Sequence, residues 1–169
     1  AELTHGRFVL GLGTAPPGWN SDWHGLEVAR PATRMREYVE CVRRMWTASL
    51  DHPIDYEGEY LRVTGYHGFI PPTSYEVPIY LAAVMPRMLE LTGEIADGLV
   101  ANLLNTTRYF REIVHPHVER GLARSGRDRS SFELTTLKVC AVDDDRAAAR
   151  QLARHTIAFY STLPYFDIV

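Results

Sequence analysis

Cysteine is nearly absent: Cys41 and Cys140 are the only two in 169 residues, too few to cross-link a small secreted fold. Cys41 falls in a helical pattern and Cys140 in an apolar, strand-like run, so both are expected to be buried free thiols in a reducing cytosol. Lysine is scarcer still. Lys138 stands alone among 18 basic residues, and the arginines that make up the rest are spread along helical patterns with no basic block. Against 21 acidic residues they leave a formal net charge of -3, which argues against nucleic acid as a partner. No apolar run is long enough to span a bilayer, and the polar opening from Ala1 lacks the basic and apolar regions of an export signal, so neither a membrane nor secretion is expected. No repeat, low-complexity tract or linker divides the chain. With 46% hydrophobic and 23% charged residues, it reads as one globular domain over residues 1–169, able to bury about two thirds of the surface its unfolded form exposes.

What is present has an alternating rhythm. Gly6 to Gly13 is a short, nearly all-apolar run bounded by glycine, as expected of a strand buried on both faces of a parallel sheet. Thr14-Ala15-Pro16-Pro17-Gly18-Trp19-Asn20 then predicts a rigid loop carrying Trp19 and Trp23. From Pro31 a helix follows, with Met35, Tyr38, Val39, Val42, Met45 and Trp46 on its apolar stripe and Glu37 among the charges opposite. Residues 51–77 read as an excursion containing a hairpin, in which Glu59 to Val63 alternates. Pro78 to Ala83 is a second buried strand, and Pro86 opens a helix whose Gly93 permits a close approach. Asp97-Gly98 turns the chain into a strand over Leu99 to Ala101. Thr106 or Thr107 caps a helix to about Arg124, closed by Ser125-Gly126. Phe132 to Val142 is the fourth strand, and Asp143-Asp144-Asp145 caps a final helix reaching about Thr162. The order β, α, excursion, β, α, β, α, β, α predicts a parallel α/β fold.

Five segments in this order carry a family likeness: Gly6-Arg7-Phe8-Val9-Leu10-Gly11-Leu12-Gly13-Thr14, Arg34-x-Arg36-Glu37-Tyr38, Tyr56-Glu57-Gly58-Glu59-Tyr60, Ile79-Tyr80-Leu81-Ala82-Ala83 and Gly93-Glu94-Ile95-Ala96-Asp97-Gly98. Together they resemble the luciferase-like monooxygenases. The resemblance implies a TIM (β/α)8 barrel of parallel strands that holds FMN or the deazaflavin coenzyme F-420 at the carboxyl ends of its strands. It implies an oxidoreductase, passing hydride or inserting oxygen into a small organic substrate. It also implies that the chain runs from the family's fourth strand through the helix after the seventh, about half of the barrel. The domain is then truncated at both ends and shorter than the roughly 200 residues at which such barrels begin. A half barrel exposes two strand edges, so a homo-oligomer or completion by another chain is expected. The alternative is a non-catalytic truncated member that binds flavin or a partner chain. In deazaflavin-dependent relatives the catalytic acid lies on the early strands, so no catalytic residue is assigned here.

Thr14 and Ala15 stand at a strand's carboxyl end, where small residues let a flat ring lie against the backbone; by resemblance they touch the cofactor ring. Pro16 occupies the place where some deazaflavin sugar dehydrogenases of the family carry a glutamate. Val84, Met85, Arg87 and Met88 surround the helix start at Pro86, whose free N–H groups form a phosphate site, and the family pattern puts cofactor phosphate and ribityl contacts there. Relatives often have glycines where this chain has Val84 and Met85. Asn102 and Asn105 match substrate or cofactor positions, or else cap the next helix. Trp19, with Trp23 and His24, sits on a loop that covers the family's pocket, so an aromatic lid and simple packing are both open readings. His115 and His117 point apart on a helix and complete no ligand set, so no metal is expected. Glu57, Glu94 and Asp97 read as turn and packing residues.

Overall fold

The computed structural model describes residues 1–69, 71–72 and 74–162. In chain order its elements are β1 Leu10–Gly13, α1 Pro17–His24, α2 Pro31–Met45, β2 Ile54–Glu57, β3 Arg62–Tyr66, β4 Ile79–Ala82, α3 Pro86–Ile95, β5 Gly98–Ala101, α4 Thr107–Tyr109, α5 His115–Ser125, β6 Glu133–Thr136 and α6 Arg146–Ser161. Strands β1, β4, β5 and β6 form one sheet in that order, every pair parallel. The hairpin β2–β3 is a separate antiparallel pair. Parallel neighbours require crossovers, and the helices α2, α3 and α5 supply them.

Alternation fixes which face of the sheet is covered. Ile79, Leu81, Leu99 and Ala101 are buried against α2, α3 and α5, with Leu10, Leu12 and Leu134 packed beside them. Each fully buried Leu or Ile contributes roughly 1.5–3 kcal/mol. The register runs Gly13, Ala82, Val100, Thr135 across the other face, where Gly13, Ala82 and Thr135 are exposed. Helices α3 and α5 meet backbone to backbone. A Cβ on Gly93 would strike the Val118 carbonyl oxygen, and one on Gly121 would strike the Glu90 carbonyl oxygen. Glu90 closes this seam by pairing with Arg120 and Arg124, each at 2.9 Å.

Several expectations need correcting. The strand expected over Gly6 to Gly13 is confined to Leu10–Gly13 and alternates half-buried and exposed, because α2, α3 and α5 cover one face of the sheet and successive side chains point to opposite faces; Phe8 and Val9 before it are exposed. The loop expected at Thr14 to Asn20 gives way to α1, which Pro17 starts at its first position and Gly25 stops in the left-handed region at φ 64°. Tyr38 is exposed, whereas Glu37 is buried; the hairpin turn docks on α2 through the Glu37 carboxylate. Residues 58–61 are that turn, so Glu59 to Val63 is not one strand. The fourth strand ends at Thr136, where its partner β5 also ends, leaving Leu137 and Val142 exposed. Cys140 is accordingly exposed, and only Cys41 is buried; both are free thiols.

Other expectations hold. Asp145 caps α6 by accepting from the Ala147 N–H at 2.7 Å, and Thr106 caps α4 by accepting from the Tyr109 N–H at 3.1 Å. The helix from Thr107 to Ser125 carries a π-helical stretch over Phe110–Val114, where the His115 N–H bonds the Phe110 carbonyl. Pro116 accounts for it: its ring has no N–H to give and pushes away the preceding turn. No helix among the described residues is long and apolar enough to cross a membrane.

Candidate functional site

The carboxyl ends of the four parallel strands open onto one cavity of about 380 Å³. Gly13, Ala82, Val100 with Ala101, and Leu137 carry the strand ends into its wall. Of the nine residues singled out in the sequence, seven line it: Thr14, Ala15, Val84, Met85, Arg87, Met88 and Asn102. Trp19 and Asn105 are not on its wall.

Each wall is held by its own local chemistry. On the β1 side, Ala15 adopts a left-handed backbone at φ 53°, a conformation that costs a non-glycine residue roughly 1–2 kcal/mol. The Asn20 amide donates to the Thr14 carbonyl at 3.0 Å and ties α1 across this turn. Pro16 and Pro17 stiffen the chain between them. The N-terminus of α2 adds Arg30, Pro31, Ala32 and Thr33. Arg30 is also left-handed, at φ 51°, and pairs with Glu59 of the hairpin turn at 2.5 Å; sequence reading missed it, since nothing marks an arginine before proline as a cavity residue.

Glu37 fixes that hairpin turn. Its carboxylate accepts from the N–H groups of Glu59, Tyr60 and Leu61 at 2.8, 2.9 and 3.0 Å. Burial pushes the carboxyl up, but the three backbone donors outweigh it and hold the group below its ordinary value. Arg34 lies 4.0 Å over the Tyr60 ring, so turn and helix stay in register.

On the β4 side, Pro86 occupies the first position of α3 and Met85 its N-cap, without a side-chain cap. The first-turn N–H groups therefore lack a protein side chain to bond, and they carry the positive end of the helix. Arg87 is exposed. No hydrogen bond or ion pair involves its guanidinium among the described residues. Behind this wall Tyr109 is buried, 2% exposed, and its hydroxyl donates to the Val84 carbonyl at 2.5 Å. Burial raises the Tyr109 pKa.

On the β5 side, Asn102 accepts from the Leu104 N–H through Oδ1 at 3.0 Å, and its carbonyl accepts from the Asn105 N–H at 3.1 Å. These bonds close a tight turn. Asn105 itself is buried, and neither atom of its amide has a hydrogen-bond partner among the described residues. Trp19 stacks on Trp23 at 4.7 Å and meets Phe159 of α6 at 5.7 Å; its ring ties α1 to α6.

Far from the cavity, the carboxylates set aside in the sequence have structural partners. Asp97 accepts from the Ile79 N–H at 2.9 Å and from Arg43 at 3.1 Å. Glu94 pairs with Arg36 at 2.8 Å, and Glu57 pairs with Arg62. His117 Nδ1 lies 2.7 Å from the Ile113 carbonyl. Among the described residues no three His, Cys, Asp or Glu side chains are grouped to hold a metal.

The chemistry of the wall is one-sided. Among the described residues it holds apolar surface, two arginines, two asparagines and two threonines, and no Asp, Glu, His, Lys, Cys or Tyr. Such a surface can bind a flat, acceptor-rich, anionic molecule, but it offers no group that exchanges a proton near neutral pH.

Comparison with known proteins places this geometry. The model of the luciferase-like monooxygenases matches residues 1–168. An uncharacterized protein of Mycobacterium tuberculosis is 39% identical over 168 residues, covering 95% of this chain and 49% of the relative. The 5,10-methylenetetrahydromethanopterin reductase of Archaeoglobus fulgidus is 33% identical, over 94% of this chain and 45% of its own length. The solved structure of the coenzyme F420 dependent tetrahydromethanopterin reductase from Methanopyrus kandleri superposes with a TM-score of 0.71 at 27% identity, over 94% of this chain and 48% of that one. The chain thus spans about half the length of the curated relatives it matches, and its parallel sheet with crossover helices makes up about half of a (β/α)8 barrel. A match across nearly the whole sequence, on a sheet whose strand ends build one cavity from the residues the likeness pointed to, establishes that the chain belongs to the luciferase-like monooxygenase family.

Proposed function

We propose that the cavity holds the ring and phosphate of FMN or coenzyme F-420, and that the chain is the cofactor-binding part of an oxidoreductase acting on a small organic substrate. One observation carries the reading: seven residues chosen from sequence line a single cavity at the carboxyl ends of all four parallel strands, where barrel active sites lie. The residues fit such a group. Arg87 has a guanidinium without a partner among the described residues, and α3 begins without a side-chain cap, so an anion is matched by a charge and by free N–H donors. Thr14 and Ala15 present a small, flat edge to a ring, and Met85, Met88 and Val84 give it apolar cover. Asn102 has Oδ1 engaged and its Nδ2 group left to orient a carbonyl. Bound there, such a cofactor supplies two-electron chemistry: hydride exchange with a substrate carbon, or reduction of oxygen for insertion. The chain's own part is to bind, orient and exclude water.

The wall's lack of a proton-exchanging group supports a second reading for the chain taken by itself, that of a binding unit without turnover. Under the first reading residues 1–169 are a single luciferase-like domain truncated relative to the family, and the acid or base arrives from strands that this sequence does not contain. The missing wall is then supplied by a second copy, by another chain, or by the rest of a longer polypeptide of which this sequence is part. Two free thiols suit a reducing cytosol.

The test is the mass and assembly size of the purified chain together with absorbance titrations with FMN and with F-420. Stoichiometric binding of one of them, weakened at least threefold by Arg87→Ala, is the expected result. Binding of neither, or binding indifferent to Arg87, overturns the reading. A cofactor bound only in a larger assembly identifies the source of the missing wall.

A further inference from the structure

The turn between β4 and α3 is governed from outside the cavity. Two of the carbonyls between β4 and Pro86 are taken: Tyr109 donates to the Val84 carbonyl at 2.5 Å, and the Leu89 N–H donates to the Met85 carbonyl at 3.0 Å. Acceptors on the neighbouring turns are engaged in the same way. The Thr14 carbonyl takes the Asn20 amide, and Asn102 has both its carbonyl and Oδ1 occupied. No carboxylate lines the cavity among the described residues. These turns leave several donors open: the N–H groups at the start of α3, the Asn102 Nδ2 group and the Arg87 guanidinium. The bonds to Thr14, Met85 and Asn102 are local, closing within six residues of their acceptor. The bond to Val84 is not, since it spans 25 residues and joins the end of α4 to the β4–α3 turn.

We infer that Tyr109 is a positioning residue for this cavity, whose hydroxyl holds the Val84 carbonyl so that the N–H groups at the start of α3 and Arg87 meet a ligand without that acceptor competing, which favours an anionic group such as a phosphate. The inference rests on the reading that the cavity takes a flavin or deazaflavin. Tyr109 suits the role physically. It is buried, its backbone N–H is pinned by Thr106, and burial keeps its hydroxyl protonated and donating well above neutral pH. Removing the hydroxyl frees a carbonyl acceptor, which repels a phosphate and competes for the same N–H groups.

The experiment measures the affinities of the full chain for FMN and for riboflavin, which lacks the phosphate, by fluorescence quenching. The variants are Tyr109→Phe and, as control, Tyr56→Phe, another buried tyrosine whose hydroxyl bonds a single partner, Glu40, at 3.0 Å away from the cavity. Both variants remove one hydroxyl and one hydrogen bond, so a general loss of stability affects both and is read from their melting temperatures. The expected result is that wild type and Tyr56→Phe prefer FMN, while Tyr109→Phe reduces the FMN-to-riboflavin preference roughly three- to tenfold, the size of one net hydrogen bond. An unchanged preference in Tyr109→Phe, or an equal loss in Tyr56→Phe, overturns the inference and leaves the cofactor reading intact. Failure of the wild type to bind either flavin or F-420 overturns both.

Discussion

The seam between α3 and α5 should not tolerate a methyl group. At Gly121 an added Cβ would lie 2.9 Å from the Glu94 nitrogen and closer still to the Glu90 carbonyl oxygen; at Gly93 it would lie 3.1 Å from the Leu122 nitrogen and closer to the Val118 oxygen. The obstacles are backbone atoms inside helices, so no side chain can swing aside and the helices must separate. Overpacking of this kind costs roughly 1–3 kcal/mol. Alanine returns up to about 1 kcal/mol through helix propensity. Because the neighbours are rigid, we expect the upper part of that range, a net loss of about 2 kcal/mol for Gly121→Ala, which corresponds to roughly 4–8 °C in a chain of this size. Separation forced by one methyl makes room for the other, so the double variant should lose less than the sum of the two single ones. Urea unfolding followed by far-ultraviolet circular dichroism measures all three. If Gly121→Ala gained stability, as propensity alone dictates, the close approach would not exist and the reasoning would fail.

Other consequences are as direct. Ala15→Val places a β-branched residue in the left-handed region at φ 53° and should destabilise, whereas Ala15→Gly should hold or raise the melting temperature by relieving up to about 1–2 kcal/mol; equal melting points for the two variants would refute the strain. Glu37 has a carboxyl held below its ordinary value in the folded chain. Its stabilisation is therefore complete above the unfolded value near 4.5 and is lost as pH falls through the lower folded value. Urea midpoints between pH 7 and 3 should fall less steeply in Glu37→Gln than in wild type, and parallel curves would contradict the assignment. A maleimide should label Cys140 in the folded chain and Cys41 only on unfolding, because Cys41 is 1% exposed and burial raises its thiol pKa; mass spectrometry of the labelled peptides reads the order.

Where the sequence was legible, a local rule and the tertiary fold agreed. Pro86 opening α3, Asp145 capping α6 and Gly93 allowing a close approach each follow from one residue's own geometry. The misreadings arose where a partner element decides the outcome. Glu37 follows the charged pattern of α2's outer face, and only the arrival of three N–H donors from a turn more than twenty residues away makes its burial favourable. Leu137 to Val142 has strand composition but no strand to pair with, since β5 has already ended. The helix α1 did announce itself, by proline at its first position and glycine just past its end, under a run of turn residues that masked the signal. At the site, Thr14, Ala15, Val84, Met85, Arg87, Met88 and Asn102 were found because strand ends in a parallel sheet converge. Arg30 and Tyr109 were not, because one reaches the cavity through an unusual backbone conformation and the other acts through the carbonyl of a neighbour.

The Glu37 carboxylate reads nothing but main chain: three consecutive N–H groups of the turn, with no side chain of residues 59–61 involved in those bonds. The instruction for the backbone of that turn is therefore stored at position 37, while the side chains of Glu59 and Tyr60 serve Arg30 and Arg34. Gly58 is tied to position 37 as well, because a Cβ there would run into the same carboxylate. Substitutions among related chains should accordingly drift at 61 while positions 37 and 58 change together or not at all, so that a glutamate on a helix and a glycine on a hairpin behave as one inherited unit.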